Sequence, residues 1–274
     1  MAATAIVFPG QGSQTPEMRH TVAAHAPELL FEVLELVGTD PFAAADEGTM
    51  YAQPAIFCAS LAGWTALGSP PGDFMGGHSL GELGALVAAG ALSQRDGLEL
   101  VVLRGRLMQA AGEGGMIALL GPGAADQASA LAQAHGLAVA NDNSPQQVVL
   151  SGERDALPPA IAAAKELGLR GMELPVTGAF HSPMMAAAVP EFRAALEEVE
   201  IGQPRVPVFS AVTAEPFDDI RERLAQALTA PVRWRETMLA LHARGVERFV
   251  EVGPGRVLTG LAKRTLRDVE LVHG

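Results

Sequence analysis

An α/β fold in two unequal parts is the fold class this sequence predicts, and three observations predict it. Short apolar runs of strand character alternate with helical stretches along most of the chain, the pattern of a largely parallel sheet covered by helices. One apolar run leads through Gly77-His78-Ser79-Leu80-Gly81 into a helix-forming stretch, a strand–turn–helix setting. Between residues 114 and 183 the rhythm changes to β-α-β-β-α-β, a unit with its own topology. The 274 residues, 49% of them hydrophobic, suffice for one large core plus an insertion. The expected architecture is a large α/β-hydrolase-like subdomain over 1–113 and 184–274, interrupted by a small ferredoxin-like subdomain over 114–183. A cleft between two such parts is where an active site is expected.

Taken in order, residues 5–8 read as a short buried strand. In the loop that follows, Pro9-Gly10-Gln11-Gly12-Ser13-Gln14, a glycine on each side of Gln11 lets the backbone approach another group closely. Its spacing fits neither G-x-G-x-x-G nor a P-loop, so it reads as a loop that offers a backbone N–H. Helices are expected over 28–37 and 54–67, with a polar, turn-rich stretch from Gly38 to Tyr51 between them. Phe74-Met75 then runs into the turn that carries Ser79. Such a turn lifts a hydroxyl out at the top of a sheet, at a helix N-terminus whose free N–H groups can stabilise an oxyanion. The other reading of the turn is a glycine-rich connection with a capping serine.

A long helix is expected over 93–111, opening at Ser93 as N-cap. On it Arg104 shares a face with Leu107 and Met108, so it either snorkels to the surface or points into a cleft and awaits an anion. In the inserted part, strands are expected at 116–120, 137–141, 147–151 and 171–174, and helices at 124–134 and 156–167. After it, strands are expected at 206–210, 248–252 and 270–272, and helices at 218–228, 233–243 and 256–266.

A serine nucleophile needs a base. Of the seven histidines, His181 lies where the chain returns to the large part, which aims it at the cleft. His20, His25 and His135 sit in polar or alanine-rich helical stretches, His78 is on the turn itself, His242 is near a helix end and His273 is penultimate.

Composition excludes several classes. One cysteine, Cys58, rules out an internal disulfide framework and reads as a small core residue. A net charge of −12 argues against nucleic acid as the main partner, although Arg256, Lys263, Arg264 and Arg267 form a local basic cluster near the end. Residues 1–10 have no signal-peptide pattern and no stretch is long and apolar enough for a membrane span, so the expected location is the cytoplasm.

The pieces taken together resemble the acyl-carrier-protein S-malonyltransferases and the related acyltransferase domains of polyketide synthases. The resemblance rests on Phe8-Pro9-Gly10-Gln11-Gly12-Ser13-Gln14, Gln53-Pro54-Ala55, Gly77-His78-Ser79-Leu80-Gly81-Glu82, Arg104-Gly105-Arg106-Leu107-Met108-Gln109, Asn143-Ser144-Pro145, Gly178-Ala179-Phe180-His181-Ser182 and Glu251-Val252-Gly253-Pro254-Gly255-Arg256-Val257-Leu258. It implies transfer of malonyl from malonyl-CoA to the phosphopantetheine thiol of an acyl carrier protein, in fatty acid or polyketide synthesis. It implies Ser79 as nucleophile, His181 as its base, the N–H groups of Gln11 and Leu80 as oxyanion hole, and Arg104 as binder of the malonyl carboxylate. His78, Asn143 and Phe180 would line the pocket, and the backbone carbonyl of Ala227 would orient the histidine. No metal or organic cofactor is implied, since the phosphopantetheine belongs to the carrier. Phe180 before His181, with Leu80 after Ser79, resembles the malonyl-type rather than the methylmalonyl-type pattern. The chain departs from many relatives in having Ala211 where they have asparagine. Two other readings are the malonyltransferase subunit of a malonate decarboxylase and, in a different class, a serine hydrolase with His242 or His273 as base.

Overall fold

The computed structural model describes residues 2–274. Two sheets organise it. The larger has the order β10-β9-β1-β2-β7-β8, built from β1 (Ala3–Phe8), β2 (Phe74–Gly77), β7 (Val208–Ser210), β8 (Glu215–Pro216), β9 (Val246–Glu251) and β10 (Glu270–His273). All pairings in it are parallel except that of β8, an antiparallel edge. The central strands β1 and β2 are nearly fully buried, as expected for strands covered on both faces.

On one face lie α1 (Met18–His25), α2 (Pro27–Val37), α3 (Thr49–Ala66), α4 (Gly81–Ala88), α5 (Gln94–Ala110), α8 (Val189–Glu198) and α9 (Ile220–Gln226), around a core that includes Phe8, Phe57, Leu83 and Phe192. On the other face α10 (Trp234–Ala243) and α11 (Val257–Thr265) cover Val7, Phe209 and Phe249, with Trp234 fully buried.

The smaller sheet has the order β4-β5-β3-β6, all antiparallel, from β3 (Gly115–Leu120), β4 (Ala138–Ser144), β5 (Gln147–Gly152) and β6 (Arg170–Glu173). Helices α6 (Ala124–His135) and α7 (Leu157–Glu166) pack on it around Ile117, Leu119 and Leu150. Its edge strand β4 reaches toward the large sheet. Val232 donates to the Ala140 carbonyl and accepts from the Asp142 N–H, and Arg235 on α10 forks onto the Asp142 carboxylate at 2.7–3.1 Å.

Several elements differ from the sequence-based expectation. Helix α3 begins at Thr49, five residues before the expected start, and carries Pro54 inside it. Its first turn is held from outside, because the Gln109 side chain on α5 accepts from the Met50 N–H. Helix α1, unassigned from sequence, buries only Met18 and Val22, too few for a visible period. Helix α8 was equally silent; it follows a 3₁₀ turn over Pro183–Ala188 and buries only Phe192 and Leu196. The helices expected at 218–228 and 256–266 are shorter at both ends, at Ile220–Gln226 and Val257–Thr265. Among the described residues no helix is long and apolar enough to cross a membrane.

Candidate active site

The site begins with the turn between β2 and α4. Ser79 sits there at φ 55°, a left-handed conformation that a side-chain-bearing residue adopts only under constraint from its surroundings. Two glycines supply the constraint. A Cβ on Gly77 would overlap the backbone of Gly81, and a Cβ on Gly81 would overlap the carbonyl of Phe8 at the end of β1. The chain can pass this closely between strand and helix only without side chains at those two positions. The result presents the Ser79 hydroxyl above the carboxyl ends of the strands, where open α/β sheets hold their ligands.

His181 also has positive φ, 58°, and is buried. Its Nε2 lies 2.8 Å from the Ser79 Oγ, and its Nδ1 lies 2.8 Å from the Ala227 carbonyl oxygen. A carbonyl can only accept, so Nδ1 carries the proton and Nε2 is left bare to receive the serine proton. Ala227 is the C-cap of α9, and the N–H groups that follow it bond to Ala225 and Gln226, leaving its own carbonyl to the histidine. Burial, and then the positive charge of Arg104, push the His181 imidazole down to about 3 despite the opposing Ala227 bond. The ring is therefore neutral at ordinary pH.

Arg104 does point inward. It is 3% exposed on α5, and its guanidinium donates from Nη2 to the Ser79 Oγ at 3.0 Å and from Nη1 to the Gln53 Oε1 at 2.6 Å. Helices α3 and α5 approach closely where Gly105 faces the backbone of Met50, which brings Gln53 within reach. Gln53 in turn donates to the Thr49 hydroxyl, and Thr49 donates to the Gln11 side chain, each at 2.8 Å. A chain of hydrogen bonds thus ties the Gln11 loop to the nucleophile. Burial lowers the Arg104 guanidinium to about 10, opposed by the Glu82 carboxylate, so it stays charged. Only two of its five N–H donors have protein partners, which leaves a forked set for a ligand carboxylate.

Opposite these groups, His78 Nε2 lies 2.8 Å from the Asn143 Oδ1 on β4, joining the turn to the small sheet, and the His78 ring meets Trp234 edge-on at 5.7 Å. Burial lowers the His78 imidazole below its usual value. Phe180 is buried, with Gly178 tight against its ring. The N–H groups of Gln11 and Leu80 have no hydrogen-bond partner among the described residues. The late histidines lie elsewhere: His242 is engaged with the Val246 carbonyl and His273 ends the edge strand β10. No cluster suited to a metal ion occurs among the described residues.

Two participants were present in the motifs but given no role from sequence, Gln53 and Glu82. Both lie on helices whose neighbours are apolar, and a polar residue in such a run is the signal that marks them. Glu82 is 1% exposed, and its Oε1 accepts the Ala211 N–H at 2.7 Å.

Residues 5–273 match the acyl transferase domain family. The chain is 39% identical to the malonyl CoA-acyl carrier protein transacylase of Salmonella typhimurium, over 96% of this chain and 93% of that one. It is 40% identical to the polyketide biosynthesis protein ThaF of Burkholderia thailandensis, over 96% of this chain but only 24% of that longer protein. The crystal structure of an acyl carrier protein S-malonyltransferase from Vibrio cholerae superposes with a TM-score of 0.90 at 38% identity, covering 100% of this chain and 97% of that one.

Proposed function

This chain belongs to the acyl transferase family, and we propose that it transfers malonyl from malonyl-CoA to the phosphopantetheine thiol of an acyl carrier protein through a malonyl ester on Ser79. The observation that carries the reading is the position of the Ser79 Oγ, 2.8 Å from a bare imidazole nitrogen and 3.0 Å from a buried guanidinium.

The chemistry follows from those contacts. Ser79 Oγ attacks the thioester carbonyl carbon while its proton passes to His181 Nε2. The carbonyl oxygen becomes an oxyanion, received by the unpartnered N–H groups of Gln11 and Leu80. The C–S bond then breaks, and the departing coenzyme A sulfur takes the proton from His181. The carrier's thiol reverses the sequence: it gives its proton to His181, attacks the ester carbonyl, and the C–O bond to Ser79 breaks with the proton returned to Oγ. The imidazolium formed in each half is stabilised by the Ala227 carbonyl at a helix C-terminus, where a carboxylate stands in many triads. Nothing in this sequence of steps calls for a metal or organic cofactor.

Arg104 supplies the choice of acyl group. Malonyl carries a carboxylate near the reacting carbonyl, and the free N–H groups of a planar, permanently charged guanidinium match it with two hydrogen bonds. Arg104 also depresses His181, so a substrate carboxylate that neutralises Arg104 raises the basicity of the catalytic imidazole. An acetyl group does neither. The test is the ratio of kcat/KM for malonyl-CoA over acetyl-CoA. In Arg104→Ala it should fall by at least roughly tenfold to a hundredfold, the worth of a charge-assisted pair, and Arg104→Lys should recover only part. An unchanged ratio in Arg104→Ala would remove the physical basis for malonyl.

A further inference from the structure

We infer that Thr49 is a positioning residue for the oxyanion hole: its buried hydroxyl holds the Gln11 side chain, and with it the Gln11 N–H, where the thioester oxygen gains charge. The inference rests on the reading of the Gln11 and Leu80 N–H groups as oxyanion donors. The Thr49 hydroxyl lies 2.8 Å from the Gln11 Oε1, and the residue is 3% exposed. The sense of that bond is fixed from the guanidinium outward. Arg104 has only donors, so Gln53 turns its carbonyl oxygen to it, at 2.6 Å. The Gln53 amide nitrogen thereby faces Thr49, whose hydroxyl accepts from it at 2.8 Å. That hydroxyl has one proton, and the Gln11 oxygen receives it. Turning over any member of the chain leaves a buried polar group unpaired.

The loop needs such a tie. Gly10 is seated against His78, where a Cβ would overlap the His78 carbonyl, and the Ser13 hydroxyl donates to the Gly10 carbonyl at 2.7 Å. Between these fixed points the tip is open. Gly12 has φ 100° with empty space around it, and Gln11 makes no hydrogen bond among the described residues except the one from Thr49. Thr49 itself stands on packed ground. It opens α3, and Gly105 on α5 lies so close that a Cβ there would come within 3.1 Å of the Thr49 carbonyl oxygen. The bond therefore joins the loop tip to the packed α3–α5 pair. An oxyanion donor acts only if it is in place before the charge develops, so a misplaced donor slows the chemical step without weakening substrate binding.

The experiment follows acyl-enzyme formation in a single turnover, from malonyl-CoA and from acetyl-CoA, and reads the saturated rate and the half-saturating concentration. In Thr49→Val, which keeps the shape and loses the hydroxyl, the saturated rate should fall roughly tenfold or more for both substrates alike, with half-saturation unchanged. Thr49→Ser, which restores the hydroxyl, should recover most of the loss. Gln11→Leu should show the same loss, and adding Thr49→Val to it should change the rate by no more than about twofold. An unchanged rate in Thr49→Val, a loss seen in half-saturation alone, or a loss confined to malonyl overturns the inference; the last would mean that Thr49 acts through Gln53 on Arg104. If Thr49→Val folds poorly, Gln11→Leu reads the bond from its other end, and a full saturated rate there overturns the inference equally. Ser79→Ala separates the two readings. If that variant still forms the acyl-enzyme, the site itself is misassigned; if it is inert while Thr49→Val keeps its full rate, Thr49 alone has been misread.

Discussion

His181 differs from a triad histidine in its third partner, a carbonyl in place of an acid, and the difference has a measurable consequence. Burial and the neighbouring Arg104 both disfavour the imidazolium, and no carboxylate opposes them directly. The folded imidazole is lowered to about 3, so the base is neutral throughout the range in which an exposed histidine titrates. Acylation by acetyl-CoA should therefore show no fall as pH is lowered from 8 to about 5; a tenfold drop per pH unit beginning near 6.5 would place His181 in a far more solvated setting. Replacing His181 by alanine should slow acylation by roughly two to four orders of magnitude. Glu82 gives the opposite signature in stability. Its folded value is raised, so the folded state holds the proton more tightly than the unfolded chain, and stability is lost as pH rises from the unfolded value toward about 7. Glu82→Gln should melt higher than the unaltered protein at pH 8, by on the order of 3 kcal/mol, with the gain gone near pH 4; an equal melt at pH 8 would mean that the carboxylate is well solvated. At this scale much was legible. Ser79, His181 and Arg104 were readable because each sits in a short motif of unusual chemistry. Gln53 and Glu82 were not, because their partners lie 51 and 129 residues away and spacing alone cannot show such a bond.

At the scale of elements, the turn at Ser79 is the part whose sequence leaves the fewest alternatives. The carbonyl of Phe8 presses on Gly81 and the backbone of Gly81 presses on Gly77, so β1, β2 and α4 converge where no Cβ fits. Gly81→Ala should cost at least roughly 3 kcal/mol in a denaturant melt, because the obstruction is backbone and cannot swing aside. Gly12→Ala, with positive φ but open space around it, should cost distinctly less. A cost at Gly81 no greater than that at Gly12 would mean that the strand and helix shift apart to admit a Cβ, so that crowding does not select glycine at Gly81. Helix α9 is a second such element, since its C-cap carries the carbonyl that orients His181. It is tied to α8 through Arg221, which donates to the Leu196 and Val199 carbonyls, and through the Arg193–Glu222 pair. The strands and long helices were readable from apolar runs and caps, such as Ser93, whose hydroxyl accepts the Asp96 N–H at 3.0 Å. Helices α1 and α8 were not, since two buried side chains in each leave no period to detect.

Across the whole molecule, two sheets with separate cores meet at the site, and each contributes to it. The large sheet brings Ser79, while the small one brings Asn143 to His78 and is braced by Asp142 on Arg235. The β-α-β-β-α-β rhythm made the second sheet legible; the bracing was not, because Asp142 and Arg235 are 93 residues apart. Charge poses a problem at this scale. The protein carries −12, and an acidic carrier would be repelled on average. Docking must use local positive charge, and Arg256, Lys263, Arg264 and Arg267 are all exposed around α11. Reversing two of them should raise the KM for the carrier and spare that for malonyl-CoA. Equal effects on both substrates, or none on either, would move the docking surface elsewhere.

The claim on which the rest depends is that the acyl group rests on Ser79 between the two half-reactions. Intact mass after incubation with malonyl-CoA measures it directly. One malonyl group should appear on the unaltered protein and disappear when a carrier protein bearing free phosphopantetheine is added, and Ser79→Ala should remain at its starting mass. A malonyl adduct that forms on Ser79→Ala, or one on the unaltered protein that the carrier cannot remove, would contradict the account.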